Sequence, residues 1–216
     1  MTEETTLRDQ ICTFARSLYD RGLTPGASGN ISALLSDGRL LVTPTGSSFG
    51  RLDPARLAVI DQGRLVSGDP PTKEMPLHSA FYETRARQTG AVVHLHSSHA
   101  VAVSILPGAN PDDLLPPLTA YGVMRLGKVA LLPYFMPGDP AMGAAIRGLA
   151  GKRSAVVLAH HGPVVAARDL EAAVYAMEEL EETAKLTLLT MGHSPKLLRK
   201  SQITALVQKF DVEWDE

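Results

Sequence analysis

Three of the seven histidines in this 216-residue chain fall within six residues, in Ala91-Val92-Val93-His94-Leu95-His96-Ser97-Ser98-His99. An apolar run leads into them. If residues 91–96 form a strand, side chains alternate between its faces. His94 and His96 then share a face, with their imidazoles about 6–7 Å apart, and Leu95 enters the opposite layer. Two imidazoles on one rigid face can share a metal ion. A second pair, His160-His161-Gly162, follows another apolar run and offers a third ligand. Adjacent residues face opposite ways, so only one of His160 and His161 is expected to join. Three histidines leave a coordination position open, the pattern of a catalytic zinc site. His99 is expected to pack or hydrogen-bond around the ligands, and His78 and His193 to sit at the surface or in packing.

Two glycine-rich loops could serve an anion. Gly26-Ala27-Ser28-Gly29-Asn30 and Thr45-Gly46-Ser47-Ser48 can present backbone N–H groups and short hydroxyls to a phosphate, and Thr72-Lys73 adds a positive charge. Glu74 sits between a loop and a helix start. By position alone it reads as a first-turn glutamate that favours the helix dipole, with general acid/base work near the metal as the alternative.

The elements that must position these groups follow from periodicity and punctuation. Helices are expected over 4–21, 75–87, 140–149, 169–190 and 202–209, with a further helix carrying Ala100, Val101, Val103 and Ile105. Strands are expected over 31–35, 40–43, 57–60, 64–67, 91–96, 128–133, 154–159 and 164–167, and a loop over 106–117. The run Glu178-Glu179-Leu180-Glu181-Glu182 is expected on a solvated helix face. Interleaved strands and helices, with no linker or repeat, predict one α/β domain over 1–216.

Composition removes several functions. The net charge of −2 gives no electrostatic case for nucleic acid or an anionic membrane. No stretch approaches the roughly 18 apolar residues of a membrane span. A single cysteine, Cys12, fits a reducing compartment, and the chain reads as cytoplasmic.

In this order and spacing, Gly29-Asn30-Ile31-Ser32, Thr43-Pro44-Thr45-Gly46, Glu74 with His78, His94-Leu95-His96 and His161-Gly162 resemble the class II aldolase/adducin family over nearly the whole chain. The resemblance implies an αβα three-layer sandwich with a mixed, largely antiparallel central sheet. It implies one Zn2+ per subunit on His94, His96 and His161, and Glu74 as acid/base. It implies a phosphate site at Gly29, Asn30, Thr45, Gly46, Thr72 and Lys73. It also implies a homotetramer with active sites at subunit interfaces, to which Tyr121 of a neighbouring subunit contributes.

Within the family the chain is most similar to members that decarboxylate 3-oxo-tetronate 4-phosphate, a phosphorylated four-carbon keto sugar acid. The implied products are dihydroxyacetone phosphate and CO2, through a metal-bound enediolate. Gly68-Asp69-Pro70-Pro71-Thr72-Lys73-Glu74 and Leu118-Thr119-Ala120-Tyr121 carry that likeness. The alternative is a zinc-dependent sugar-phosphate aldolase of the fuculose-phosphate type, releasing an aldehyde. Those aldolases have serine where Lys73 stands and a tyrosine in the C-terminal tail, whereas residues 208–216 here contain none.

Overall fold

The computed structural model describes residues 2–214. In chain order the helices are α1 (Glu3–Asp20), α2 (Met75–Thr84), α3 (Ser98–Ser104), α4 (Ala120–Leu126), α5 (Ala141–Gly148), α6 (Leu170–Thr190) and α7 (Lys200–Phe210). The strands are β1 (Asn30–Leu34), β2 (Leu40–Val42), β3 (Ala58–Asp61), β4 (Arg64–Ser67), β5 (Ala91–His94), β6 (Ala130–Leu132), β7 (Ala155–Leu158) and β8 (Gly162–Ala167). They form one sheet in the order β4-β3-β2-β1-β5-β8-β7-β6. Its pairings are antiparallel except for β6 with β7. This is the mixed, largely antiparallel sheet expected of the resemblance.

Alternation along the strands builds the two faces. On β5, Ala91 and Val93, with Leu95 just beyond, join one apolar cluster with Ile11, Leu18, Met177 and Leu180 of α1 and α6. Val92 joins the other, against Leu77, Ala80 and Phe81 of α2 and Met142 and Ile146 of α5. Helices therefore cover both faces and make three layers. No helix among the described residues is long and apolar enough to cross a membrane.

Several elements depart from expectation. Strand β5 ends at His94, two residues short of the expected limit. Leu95 N–H still donates to Pro163 O at 3.1 Å. Pro163, its antiparallel partner by register, has no N–H to return, so the ladder stops there. Helix α2 ends at Thr84 rather than residue 87. Helix α4 falls where the sequence suggested none: Thr119 Oγ1 caps it by accepting from Gly122 N–H at 2.9 Å, and Gly127 closes it at φ +61°. Strand β8 begins two residues early, at Gly162.

The acidic run on α6 is only partly solvated, because Glu181 is buried. Its carboxylate accepts from the backbone N–H groups of His99 and Ala100, each at 2.9 Å. It thus occupies the positive N-terminus of α3.

Candidate metal centre and active site

Four groups converge at the end of β5. Glu74, His94, His96 and His161 each offer one ligand atom, and these atoms lie within 4.8 Å of one another. The three imidazole centroids form a near-equilateral triangle with sides of 4.9, 4.9 and 4.6 Å. His94 comes from the strand end and His96 from the extended segment past it. His161 comes from the turn joining β7 to β8. In that turn His160 adopts a left-handed conformation (φ +61°). Its exposed ring turns toward Tyr134, with centroids 6.3 Å apart, while His161 turns inward and is buried.

Glycine at 162 is a steric requirement of that turn. A Cβ there would lie 2.0 Å from the Leu95 carbonyl oxygen. Gly162→Ala should therefore force β8 and His161 away from β5, at a cost of about 1–3 kcal/mol or more. A fall in thermal midpoint together with weaker metal binding checks this; a variant unchanged in both contradicts it.

The donor chemistry calls for a cation. His94 Nδ1–H donates to Pro163 O at 2.8 Å, which leaves the lone pair of a neutral ring on Nε2. That atom lies 3.4 Å from His161 Nε2 and 3.3 Å from Glu74 Oε2. Glu74 Oε1 is 3.1 Å from His161 Nε2. Acceptor atoms packed this closely repel unless a proton or a metal cation sits among them, and three imidazoles with a carboxylate suit a divalent transition metal. The residues present fit such an ion.

Burial opposes charge throughout the cluster. It pushes His94 down to about 3, and lowers His96 with the help of neighbouring His161. Burial would push the Glu74 carboxyl up. The hydrogen bond to His161, the nearby His94 ring and the Asn30 amide outweigh this and hold it below the ordinary carboxylate range, so at rest it is a carboxylate. His78, beneath the site, is pushed down to about 4 by burial.

These shifts fix a pH dependence for the metal-free protein. Below about 6.5 the unfolded chain takes up protons that folded His78 and His94 refuse. Stability should therefore fall as pH drops from about 6.5 toward 4, with His78 alone contributing on the order of 3 kcal/mol. Denaturant midpoints of chelator-treated protein across that range test this, and a flat or rising stability would contradict it.

The structure places the remaining expected residues in three settings. Thr45 and Gly46 line a cleft of about 520 Å3 with Gly26, Ala27, Ser47 and Ser48. The sequence reading missed that Arg51 and Arg56 also line this cleft, although Arg56 is paired with Asp69 at 2.5 Å. Glu74 and the histidines lie outside that lining. Thr72 Oγ1 accepts from Glu74 N–H at 3.2 Å at the start of α2, and Lys73 beside it is exposed. Gly29 (φ +83°) passes so close that a Cβ would meet His94 O at 3.0 Å.

Asn30 is not held open for an anion. Its amide Nδ2 donates to Glu74 Oε2 at 2.7 Å, and its Oδ1 lies 2.5 Å from His78 Nε2. His78 is a fully buried polar partner rather than a surface or simple packing residue. His99 bonds Glu181, with Nδ1 2.7 Å from Oε1, and not a member of the cluster. Tyr121 stands apart on α4, 58% exposed, with the Arg125 guanidinium 5.9 Å from its ring centroid. The tail as far as Trp214 packs back on the body: Glu213 pairs with Arg85, and Lys128 lies over the Trp214 ring at 5.6 Å.

Comparison with known proteins agrees with this geometry. Residues 9–188 match the family model described as the Class II Aldolase and Adducin N-terminal domain. The chain is 45% identical to 3-oxo-tetronate 4-phosphate decarboxylase of Cupriavidus necator, over 99% of this chain and all of that protein. It is 30% identical to L-fuculose phosphate aldolase of Escherichia coli K12, over 96% of this chain and 95% of that one. Among solved structures, YgbL of Escherichia coli superposes with a TM-score of 0.92 at 42% identity, covering 95% of this chain and 99% of YgbL.

Proposed function

We propose that this chain, which belongs to the class II aldolase and adducin family, is a carboxy-lyase that converts 3-oxo-tetronate 4-phosphate to dihydroxyacetone phosphate and CO2. The observation that carries the reading is the Glu74 carboxylate held against three converging imidazoles. The same site serves carbon–carbon cleavage whether CO2 or an aldehyde departs. Identity of 45% to a named decarboxylase, against 30% to a named aldolase, favours CO2.

His94, His96 and His161 would hold the metal, with zinc as the ion we assign. Bound there, it would supply Lewis acidity to offset the negative charge that develops on the substrate. Glu74, ionised at rest, takes the proton of the C2 hydroxyl. The C1–C2 bond breaks, CO2 leaves, and its electron pair remains on the C2–C3 fragment. Glu74 then returns a proton to C2, and solvent supplies the proton that completes the product hydroxyl. One proton is consumed per turnover, and Glu74 ends as it began.

Gly29, Thr45, Gly46 and Thr72 are assigned to the phosphate, and Asn30 contributes there through its backbone only. The exposed ammonium of Lys73 is assigned to an anionic end of the substrate, phosphate or carboxylate. The homotetramer and its cytoplasmic setting belong to the same proposal, with exposed Tyr121 offered to a neighbouring subunit's site.

The experiment offers zinc-loaded protein 3-oxo-tetronate 4-phosphate and fuculose 1-phosphate in parallel. CO2 and dihydroxyacetone phosphate should form from the first. Aldehyde release from the second, with no CO2 from the first, would move the assignment to an aldolase.

A further inference from the structure

A chain of buried hydrogen bonds runs away from Glu74 beneath α2, and no step of the reaction uses it. Register explains how it is assembled. Asn30 pairs with His94 and Ser32 with Val92 across β1 and β5, so Asn30 and Ser32 lie on the sheet face that α2 covers. From α2, His78 reaches down between them. Its Nε2 is 2.5 Å from Asn30 Oδ1 and its Nδ1 is 2.7 Å from Ser32 Oγ. Ser32 Oγ in turn lies 3.0 Å from the Tyr82 hydroxyl, one turn further along α2.

The directions of these bonds follow from their chemistry. The Glu74 carboxylate can only accept, so the Asn30 amide must face it with N–H and present Oδ1 to His78. His78 Nε2 must then carry the proton. Burial keeps that ring neutral, so Nδ1 accepts from Ser32 O–H, and Ser32 accepts from Tyr82 O–H. Every donor in the series therefore points toward the carboxylate. The series is not a proton wire, because an amide nitrogen does not readily release and recapture a proton. What it does is orient and polarise.

We infer that His78 is a positioning residue: as the neutral Nε2–H tautomer, set by the Asn30 carbonyl and steadied by Ser32, it fixes the Asn30 amide and so holds the Glu74 carboxylate at the angle the proton transfer requires. The inference rests on the proposed role of Glu74. His78 touches neither substrate nor metal ligand, so its loss should act on kcat and leave KM and metal content nearly unchanged. A misplacement on the order of 1 Å at a reacting group can cost about 100-fold.

The test uses full-length, zinc-loaded protein. His78→Leu keeps bulk and removes both polar atoms; kcat should fall about 10- to 100-fold, with KM within about twofold. His78→Gln keeps a donor toward Asn30 and should restore most of that loss. Ser32→Ala is a milder probe should His78→Leu fold poorly: it removes the hydroxyl that steadies the ring from its Nδ1 side and should lower kcat in the same direction by a smaller factor. In 15N-histidine-labelled wild-type protein, His78 should show an unprotonated Nδ1 and a protonated Nε2. A folded, metal-loaded His78→Leu or Ser32→Ala with wild-type kcat overturns the inference, as does a loss that glutamine does not restore or a His78 protonated on Nδ1. Absence of CO2 release by the wild type would instead refute the proposed reaction, and the labelled histidine would still report on the tautomer.

Discussion

A chain carrying His96→Ala should lose its metal while keeping its fold. Of the three imidazoles, His96 is the most accessible; His94 and His161 are buried. His94 also donates to Pro163 O from the strand end. Removing His94 would leave a buried cavity and take from the Pro163 carbonyl one of its two hydrogen bonds, which confuses metal loss with unfolding. Removing His96 disturbs packing least. Apparent binding energies of about 10–16 kcal/mol for four-ligand zinc sites put one ligand at roughly 2.5–4 kcal/mol. Metal affinity should then fall about 60- to 700-fold, and turnover at limiting zinc should disappear with it. Zinc analysis after dialysis, alongside circular dichroism, reads both quantities. Full zinc occupancy in a well-folded variant would remove His96 from the ligand set. His94→Ala and His161→Ala should also shed metal, with a larger loss of stability at His94.

Glu74→Gln should give the opposite pairing, in which metal is retained and chemistry is lost. Glutamine matches glutamate in shape, and its carbonyl can still accept from Asn30 Nδ2. The three imidazoles are untouched. What disappears is a group able to take a proton from C2–OH and return one to C2. General acid/base groups contribute about 100- to 10,000-fold, so kcat should drop about 1,000-fold. Zinc content per chain should stay near that of the wild type. A variant with near-normal turnover would end the acid/base assignment, and one that lost its zinc would make Glu74 chiefly a ligand.

The parts of this site that could be read from the sequence are those governed by local periodicity. Alternation along an apolar run was enough to pair His94 with His96 and to send Leu95 into the other layer. It could not choose between His160 and His161, because their directions are set by the left-handed turn at His160. It also overran the strand, since the limit is imposed by Pro163 on a neighbouring strand.

Long-range partners were invisible in the same way. Asn30 ends a glycine-rich sequence that reads as an anion site, yet it opens β1 and its side chain is claimed by Glu74 and by His78, 48 residues away. Glu181 reads as one more acid on a wet face. It is buried because the N-terminus of α3 docks on it. Helix α4 is too short for periodicity to reveal, although the Thr119 cap and Gly127 were the available signals. The family resemblance reached further than spacing did, because it carried information about which distant residues meet.

The account's central claim is that CO2 leaves from C1 and Glu74 then protonates C2. Its most direct test is turnover of 3-oxo-tetronate 4-phosphate by the zinc-loaded protein in D2O, following CO2 and the isotopic content of the product together. The account predicts one CO2 for each dihydroxyacetone phosphate, with one solvent deuterium on the new hydroxymethyl carbon, and loss of both in Glu74→Gln. Product formed without CO2, or an unaltered rate of deuterium incorporation in Glu74→Gln, would contradict it.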